Sequence, residues 1–490
     1  MSDGLKNKTL HALFWSFLER FGQLGIQLII SIILARLLLP EEFGLIAMMA
    51  IFMAGAQSFI DSGFGQALIQ KQDVTHIDEC SIFYFNILVG FLAAGLLCLS
   101  APWIAGFYNQ PLLATLTYAL SLNLIINAFG LVQITLLTKQ LDFKTQLKVS
   151  MIATIVSGAI GITMAFNGFG VWSLVGQSLG SNLFRIILLW FFNTWRPSLV
   201  FSFDSLSGMF AFGSRLFASG LLDTVFQNIY LVVIGKLFSP MALGFYSRAK
   251  ELQQLPVTNI SSIVGRVTFP VFSSMQDDKP RLKHGLRKAL TMLVVINFPI
   301  MVGLAIVAKP LVLVLLTEKW IPCVPYLQLL CVVGMLYPVH SINLNVLIAQ
   351  GRSNLLFRLE ILKRILIVIA ITVTYRWGIT AMIYGQIATS FLAYFVNAYY
   401  TGKMIDYPLK EQVFDFASYL PISAVMGVGI YSVQLVTFSN NITLLLSQIF
   451  IGIVIYGILC LYFQSGVFME MCDMLFSRKS IIFKAKTQVK

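Results

Sequence analysis

The chain has 490 residues, of which 58% are hydrophobic and 11% charged, against about 25% charged in a soluble domain. That excludes an ordinary water-soluble globular protein. The net charge of +13 would raise nucleic acid as a ligand in a soluble protein, but no basic arm with interleaved aromatics occurs. The charge reads instead as cytoplasmic-loop lysines and arginines facing anionic membrane lipid.

The apolar runs are long and continuous instead of alternating, so the chain is expected to be all-α, a polytopic membrane protein of about fourteen helices at about 20 residues per crossing. Met1 to Leu10 is polar with two lysines, and the apolar stretch after it carries Glu19 and Arg20 and lacks a small-residue cleavage site. It reads as a first membrane helix and not a signal peptide. Apolar windows between polar breaks predict spans at 12–38, 43–66, 80–101, 112–137, 147–166 and 170–192. A second series follows at 209–236, 240–267, 286–308, 323–349, 359–375 and 378–401, and 417–437 and 442–463 complete the set.

Basic residues in alternate loops give the orientation. With the N-terminus inside, 23 of the 34 lie on one side, including Lys71, the 139–148 loop, Arg196, the 279–288 and 352–364 clusters, Lys403, Lys410 and the tail. Five lie on the other: Arg36, Lys236, Lys309, Lys319 and Arg376. Both termini are therefore expected in the cytoplasm.

The sequence also repeats. Arg36, Leu37, Pro40 and Gly44 recur at one ungapped offset as Lys236, Leu237, Pro240 and Gly244, and Ser62 and Gly65 as Ser262 and Gly265. Gly170, Gly176 and Gln177 are echoed by Gly378, Gly385 and Gln386. An even number of helices separates the copies, which predicts two six-helix lobes related by an axis along the membrane normal around a central site. The expected division is an N-lobe over 1–192, a cytoplasmic linker over 193–207 with Trp195, Arg196 and Pro197, and a C-lobe over 208–402. Helices thirteen and fourteen fall in 403–463 and a cytoplasmic tail in 464–490.

No phosphate-binding loop, nucleophile elbow or HExxH motif is present. No enzyme activity and no cofactor is expected, and uphill transport would draw on a gradient or on consumption of product. The six cysteines (Cys80, Cys98, Cys323, Cys331, Cys460 and Cys472) form no CxxC pair and read as apolar fillers without a histidine at metal spacing. His340 reads as a packed polar residue. The tryptophans near span ends read as an interfacial belt, and the mixed apolar and basic tail after Gln464 as a surface-bound segment.

Ionisable residues inside spans are the informative set, since each costs several kcal/mol in hydrocarbon unless it meets water or a partner. They are Glu19 and Arg20 in the first helix, Asp61 in the second, Arg185 in the sixth, Arg215 and Asp223 in the seventh, and Arg248, Lys250, Glu251 and Arg266 in the eighth. The eighth helix adds Gln253, Gln254, Thr258, Asn259 and Ser261, a broad polar face suited to a water-filled cavity. Arg20, Arg248, Lys250 and Arg266 are the candidate ligands for an anion such as a pyrophosphate. Glu19, Asp61, Asp223 and Glu251 are candidates for charge partners or a coupling-ion site. Arg185 and Arg215 lie within two turns of cytoplasmic ends, where snorkelling is the default reading.

Several stretches carry a family resemblance. Ala35-Arg36-Leu37 with Pro40-Glu41-Glu42-Phe43-Gly44 resembles the opening of polysaccharide exporters in the multidrug/oligosaccharidyl-lipid/polysaccharide (MOP) superfamily. Asp61-Ser62-Gly63-Phe64-Gly65, Trp195-Arg196-Pro197, Leu243 to Ala249 and Phe269-Pro270 are similar to its colanic-acid-exporter-like branch. The resemblance covers most of residues 10–400 and is weak over the last two helices. It implies a fourteen-helix flippase carrying undecaprenyl-diphosphate-linked oligosaccharides to the periplasmic leaflet by alternating access, alongside a polysaccharide polymerase. Drug/cation antiporters and peptidoglycan-precursor flippases of the same superfamily are the alternatives.

Overall fold

A computed structural model describes residues 3–61, 63–71, 73–436, 438, 440–463 and 468–470, apart from the side chains of 3–14, 17, 208–219, 263, 266, 267 and 353. The described residues form helices and no strand. Most of the amphipathic tail expected after Gln464 lies outside them.

Local chemistry sets the helix boundaries. After α1 (Asp3–Leu37), Pro40 opens α2 (Pro40–Asp61) at a position where its missing N–H forfeits nothing. Gly63, at φ 75, makes the left-handed step into α3 (Phe64–Gln70). Thr75 and Asp78 close a reciprocal capping box at the start of α4 (His76–Tyr108). Helices α5 (Leu112–Ala128) and α6 (Leu131–Lys139) meet at a 42° bend. The Asp142 side chain caps α7 (Phe143–Phe166), and α8 (Trp172–Phe192) packs along it.

Then come α9 (Phe203–Leu237) and α10 (Pro240–Ser274), again opened by a proline. Asp278 caps α11 (Lys279–Ile306), followed by α12 (Ala308–Leu315), a tight turn over Glu318–Cys323 and α13 (Val324–Ala349). The rest are α14 (Ser353–Thr374), α15 (Ile379–Ile405), α16 (Leu409–Ala417), α17 (Tyr419–Ser432) and α18 (Asn441–Tyr462).

Eleven of these helical stretches are long and apolar enough to cross a bilayer, or twelve if the bent α5–α6 pair counts as one span. The chain is thus a multi-pass membrane protein. Helices α10 and α14 are long but fall outside that set. Arg248, Lys250, Glu251 and Arg266 lie in the first, and Arg358, Glu360, Lys363 and Arg364 in the second.

The chain divides into two compact units, Met1–Ser247 and Arg248–Lys490. The first therefore takes in α9 and the opening of α10, which the sequence-based division assigns to the second lobe. Within it, Ile30 and Leu34 of α1, with Leu38 just after the helix, pack with Ile162 of α7, and Phe64, Leu68, Phe83 and Leu136 join α3, α4 and α6. In the second unit one apolar cluster joins α11, α13 and α15 to α16, α17 and α18. At one end of α11, Lys283 pairs with Glu411 of α16 at 2.7 Å and Arg287 with Asp415. Two of the loop cations counted for orientation are thus locally neutralised. Tyr407 donates to Asp415 at 2.6 Å, and burial followed by that carboxylate pushes its phenol well up, so it stays a donor at physiological pH.

The segment 193–202 is stitched to the first unit. Trp195 Nε1 donates to Glu79 at 2.6 Å, Gln133 to the Trp195 carbonyl at 3.3 Å, Tyr84 to the Ser198 carbonyl at 3.2 Å, and Ser202 N to Ser81 Oγ at 2.9 Å. His76 Nε2 lies 3.4 Å from Cys80 Sγ, which accepts from Ser198 N at 3.3 Å. This corrects the expectation that no histidine lies at metal spacing from a cysteine, since His76 is one helical turn before Cys80, although the described residues contain no group of three metal-ligating side chains. Trp195→Phe keeps an aromatic ring, though a smaller one, and deletes one hydrogen bond to a carboxylate, which is expected to cost about 1.5–3 kcal/mol. A lowered melting midpoint in detergent would register it.

Candidate functional site

In the first unit the polar side chains within spans form a ladder. Asn127 on α5 donates to Gln57 on α2 at 3.1 Å, and Gln57, one turn before Asp61, donates to Asp61 Oδ1 at 3.0 Å. Asn182 on α8 donates to Asn123 on α5 at 2.8 Å, and Asn123 to Ser178 at 3.0 Å. Spacings of three and four place Ser178, Asn182 and Arg185 on one face of α8, and Asn123 and Asn127 on one face of α5. Arg185, half-buried, lies within electrostatic reach of both Glu19 on α1 and Asp61 on α2. Arg20 is half-buried and Asp223 exposed, and Thr224, beside Asp223, sits 3.3 Å from Ser58 of α2. The ladder as a unit escapes a scan for charges alone. Its sequence signal is the amide, hydroxyl or carboxylate at three- and four-residue spacing on three separate apolar helices.

The repeat Pro40/Gly44 and Pro240/Gly244 comes into direct contact with itself, inside the first unit. A Cβ on Gly44 would run into the carbonyl of Pro240, and a Cβ on Gly244 into the carbonyl of Pro40. The two helix starts thus cross backbone to backbone in a reciprocal contact, residue i against j and j against i, the signature of local twofold symmetry. Behind it, Gly235 on α9 admits Met48 and Tyr108, and Lys236 donates to the Phe107 carbonyl with its ammonium 4.8 Å from that ring.

In the second unit Arg248 has only 4% of its side chain exposed. It bonds Glu251 at 2.8 Å, three residues on, and its guanidinium sits 5.6 Å from the ring of the fully buried Trp320. Trp320 is held by the turn after α12, where Thr317 adopts φ 89 and ψ 173, a conformation that a β-branched residue takes only when its surroundings impose it. Lys250, on the same helix, is half-buried. Of the eight candidates, then, the structure joins Arg248 to Glu251, while Glu19 and Asp61 both lie within electrostatic reach of Arg185. The Arg266 side chain lies outside the described residues.

Comparison with known proteins fits this architecture. A family model described as "Polysaccharide biosynthesis protein" matches residues 33–325, more than half of the chain. The teichuronic acid biosynthesis protein TuaB of Bacillus subtilis (strain 168) is 32% identical over 305 residues, covering 62% of this chain and 63% of that protein, so the match spans less than two thirds of the relative's length. The lipopolysaccharide biosynthesis protein WzxC of Escherichia coli (strain K12) is 29% identical over 403 residues, covering 80% of this chain and 81% of that protein. Among solved structures, the lipid II flippase MurJ in an inward closed conformation superposes with a TM-score of 0.74 over 93% of this chain and 100% of that one. At 14% identity that likeness establishes the fold alone. On the family match, which covers more than half of its length, the chain belongs to the polysaccharide biosynthesis protein family.

Proposed function

We propose that the protein is a flippase that carries undecaprenyl-diphosphate-linked oligosaccharide repeat units from the cytoplasmic to the periplasmic leaflet of a bacterial inner membrane. In this reading α10 and α14 cross as well, giving fourteen spans with both termini cytoplasmic. Residues 1–192 and 208–402 act as the two lobes of an alternating-access cycle. No covalent bond is made or broken by the chain, and a periplasmic polymerase that consumes the repeat unit supplies the downhill drive.

The observation that carries the reading is the concentration of basic groups within α10 of a polysaccharide-biosynthesis transporter. A diphosphate in the membrane interior needs cationic partners, and Arg20, Arg248, Lys250 and Arg266 are the side chains proposed to meet it. The carboxylates Glu19, Asp61, Asp223 and Glu251 act as their charge partners or those of Arg185. An antiporter for organic cations would instead rely on carboxylates. The full chain in lipid nanodiscs is expected to bind undecaprenyl diphosphate and not ethidium. Arg20→Gln combined with Lys250→Gln is expected to weaken that binding at least about tenfold, since a charge-assisted hydrogen bond contributes about 1.5–3 kcal/mol. Binding of ethidium with none of the lipid would transfer the protein to the antiporter class.

A further inference from the structure

We infer that the segment 193–203, between α8 and α9, is a lipid-docking surface that seats Leu199, Phe201 and Phe203 in the headgroup and upper acyl region of one leaflet, the cytoplasmic one on the proposed topology. The inference needs only the multi-pass fold and is independent of what the protein carries.

A connection that runs through water is ordinarily polar and loosely held. This one is neither. Ser198-Leu199-Val200-Phe201-Ser202-Phe203 places four apolar residues in six, and Leu199 is 95% exposed and Phe203 79%, with Val200 and Phe201 also on the surface. The rings of Phe201 and Phe203 lie 4.9 Å apart, edge to face. The backbone that carries them is fixed on α4. The Ser198 carbonyl accepts from Tyr84, and the amides of Ser198 and Ser202 donate to Cys80 Sγ and Ser81 Oγ. The apolar side chains are therefore held at the surface instead of folding under the protein, and contiguous exposed apolar surface marks an interaction site.

Depth along α4 points to lipid as the partner. Helix α4 has 33 residues and is apolar enough to span the bilayer. At about 1.5 Å per residue it is about 50 Å long, against about 30 Å of hydrocarbon, so when centred it projects about 10 Å beyond the hydrocarbon at each end. Ser81 and Tyr84 follow the first residue, His76, by about 8 and 12 Å along the axis. The segment they hold is thus at the boundary between headgroups and acyl chains. The chain also enters it from an outward apolar stripe of α8, where Leu183, Ile187 and Phe191 are exposed one turn apart.

Charge is not what seats the segment. The Arg196 guanidinium donates to the carbonyls of Trp190, Asn193 and Trp195, each at 2.7 Å. The groups offered outward are apolar, the interfacial mode whose strength scales with the apolar area buried in the leaflet. A cytoplasmic protein is the other occupant such a patch could take, and it would leave the patch in water in the purified chain.

The test places the environment-sensitive fluorophore NBD on Leu199→Cys and, separately, on Phe203→Cys in the full chain in lipid nanodiscs. Asp73→Cys, at an exposed position before α4, is the aqueous reference. The parent without an added cysteine supplies the labelling background, and a melting midpoint close to the parent's verifies each fold. Emission at positions 199 and 203 is expected to be blue-shifted from that at 73, and to fall at least about twofold when the phosphatidylcholine carries brominated acyl chains. Iodide in solution is expected to quench only the label at 73. The same result is expected with and without phosphatidylglycerol. Water-like emission with quenching by iodide at either position would overturn the proposal and leave the patch free for a protein partner. Protection that appears only with anionic lipid would overturn it as well. Phe201→Cys replaces either position where its labelled form fails to fold.

Discussion

Gly244→Val is expected to cut polysaccharide export at least about tenfold in a complementation assay while the protein remains at its normal level in the membrane. The Pro40 carbonyl occupies the space a side chain at 244 needs, and the relation is reciprocal at Gly44. Forcing a side chain into packed backbone costs about 1–3 kcal/mol, which spread over a two-state equilibrium is about a 5- to 150-fold shift. On the proposed topology the starts of α2 and α10 are at the periplasmic end, so the state weakened is the one closed to the outside. A cysteine at Met48, 1% exposed and one turn below Gly44, reports it in a background without the native cysteines. It should resist a membrane-impermeant thiol reagent in the parent and react in the Gly244→Val protein. Unchanged protection with unchanged export would show that this contact is not a gate.

The second large effect concerns Arg248, whose surroundings support two roles. Its bond to Glu251 and its place against Trp320 anchor α10 to the turn after α12. The same group is proposed to meet the diphosphate. Losing one partner of a fully buried pair costs about 3–5 kcal/mol, but Glu251 is 49% exposed. Solvent reclaims much of that carboxylate, so about 1–2 kcal/mol is the better expectation. Arg248→Met keeps the stem that packs on Trp320 and removes the charge. It is expected to stay folded, judged by a melting midpoint close to the parent's, and to lose at least about nine-tenths of export. Full export by Arg248→Met would leave the residue a purely structural anchor. Trp320→Ala, which releases the guanidinium without removing it, is expected to lower the midpoint more than Arg248→Met does.

Much of the helix framework was legible because each boundary has a local cause. Pro40 and Pro240 open helices, Gly63 and Gly378 turn the chain at positive φ, and Thr75, Asp142 and Asp278 cap helix starts with their own side chains. The offset between Gly44 and Gly244 was readable as a repeat. That the two copies touch was not, because a repeat fixes equivalence and says nothing of distance. The charges that act on Arg185 were hidden for a related reason. Glu19 is 166 positions away, and local spacing near a span end pointed to snorkelling, whereas the helices around α8 supply two carboxylates. The burial of Arg248 was also hidden, since the ring that covers it comes from a turn some 70 residues on. The charged α10 illustrates the converse. The polarity on which its proposed role rests is also what keeps it outside the set of apolar spans.

The most direct measurement is leaflet exchange in proteoliposomes that hold the purified chain and an undecaprenyl-diphosphate-linked oligosaccharide placed in one leaflet. Lectin added outside reads the fraction that crosses. The lipid-linked glycan is expected to equilibrate across the bilayer many-fold faster than in protein-free vesicles, and Gly244→Val or Arg248→Met is expected to return the rate close to that background. Exchange no faster than in empty vesicles, with the protein folded and in the bilayer, would contradict it.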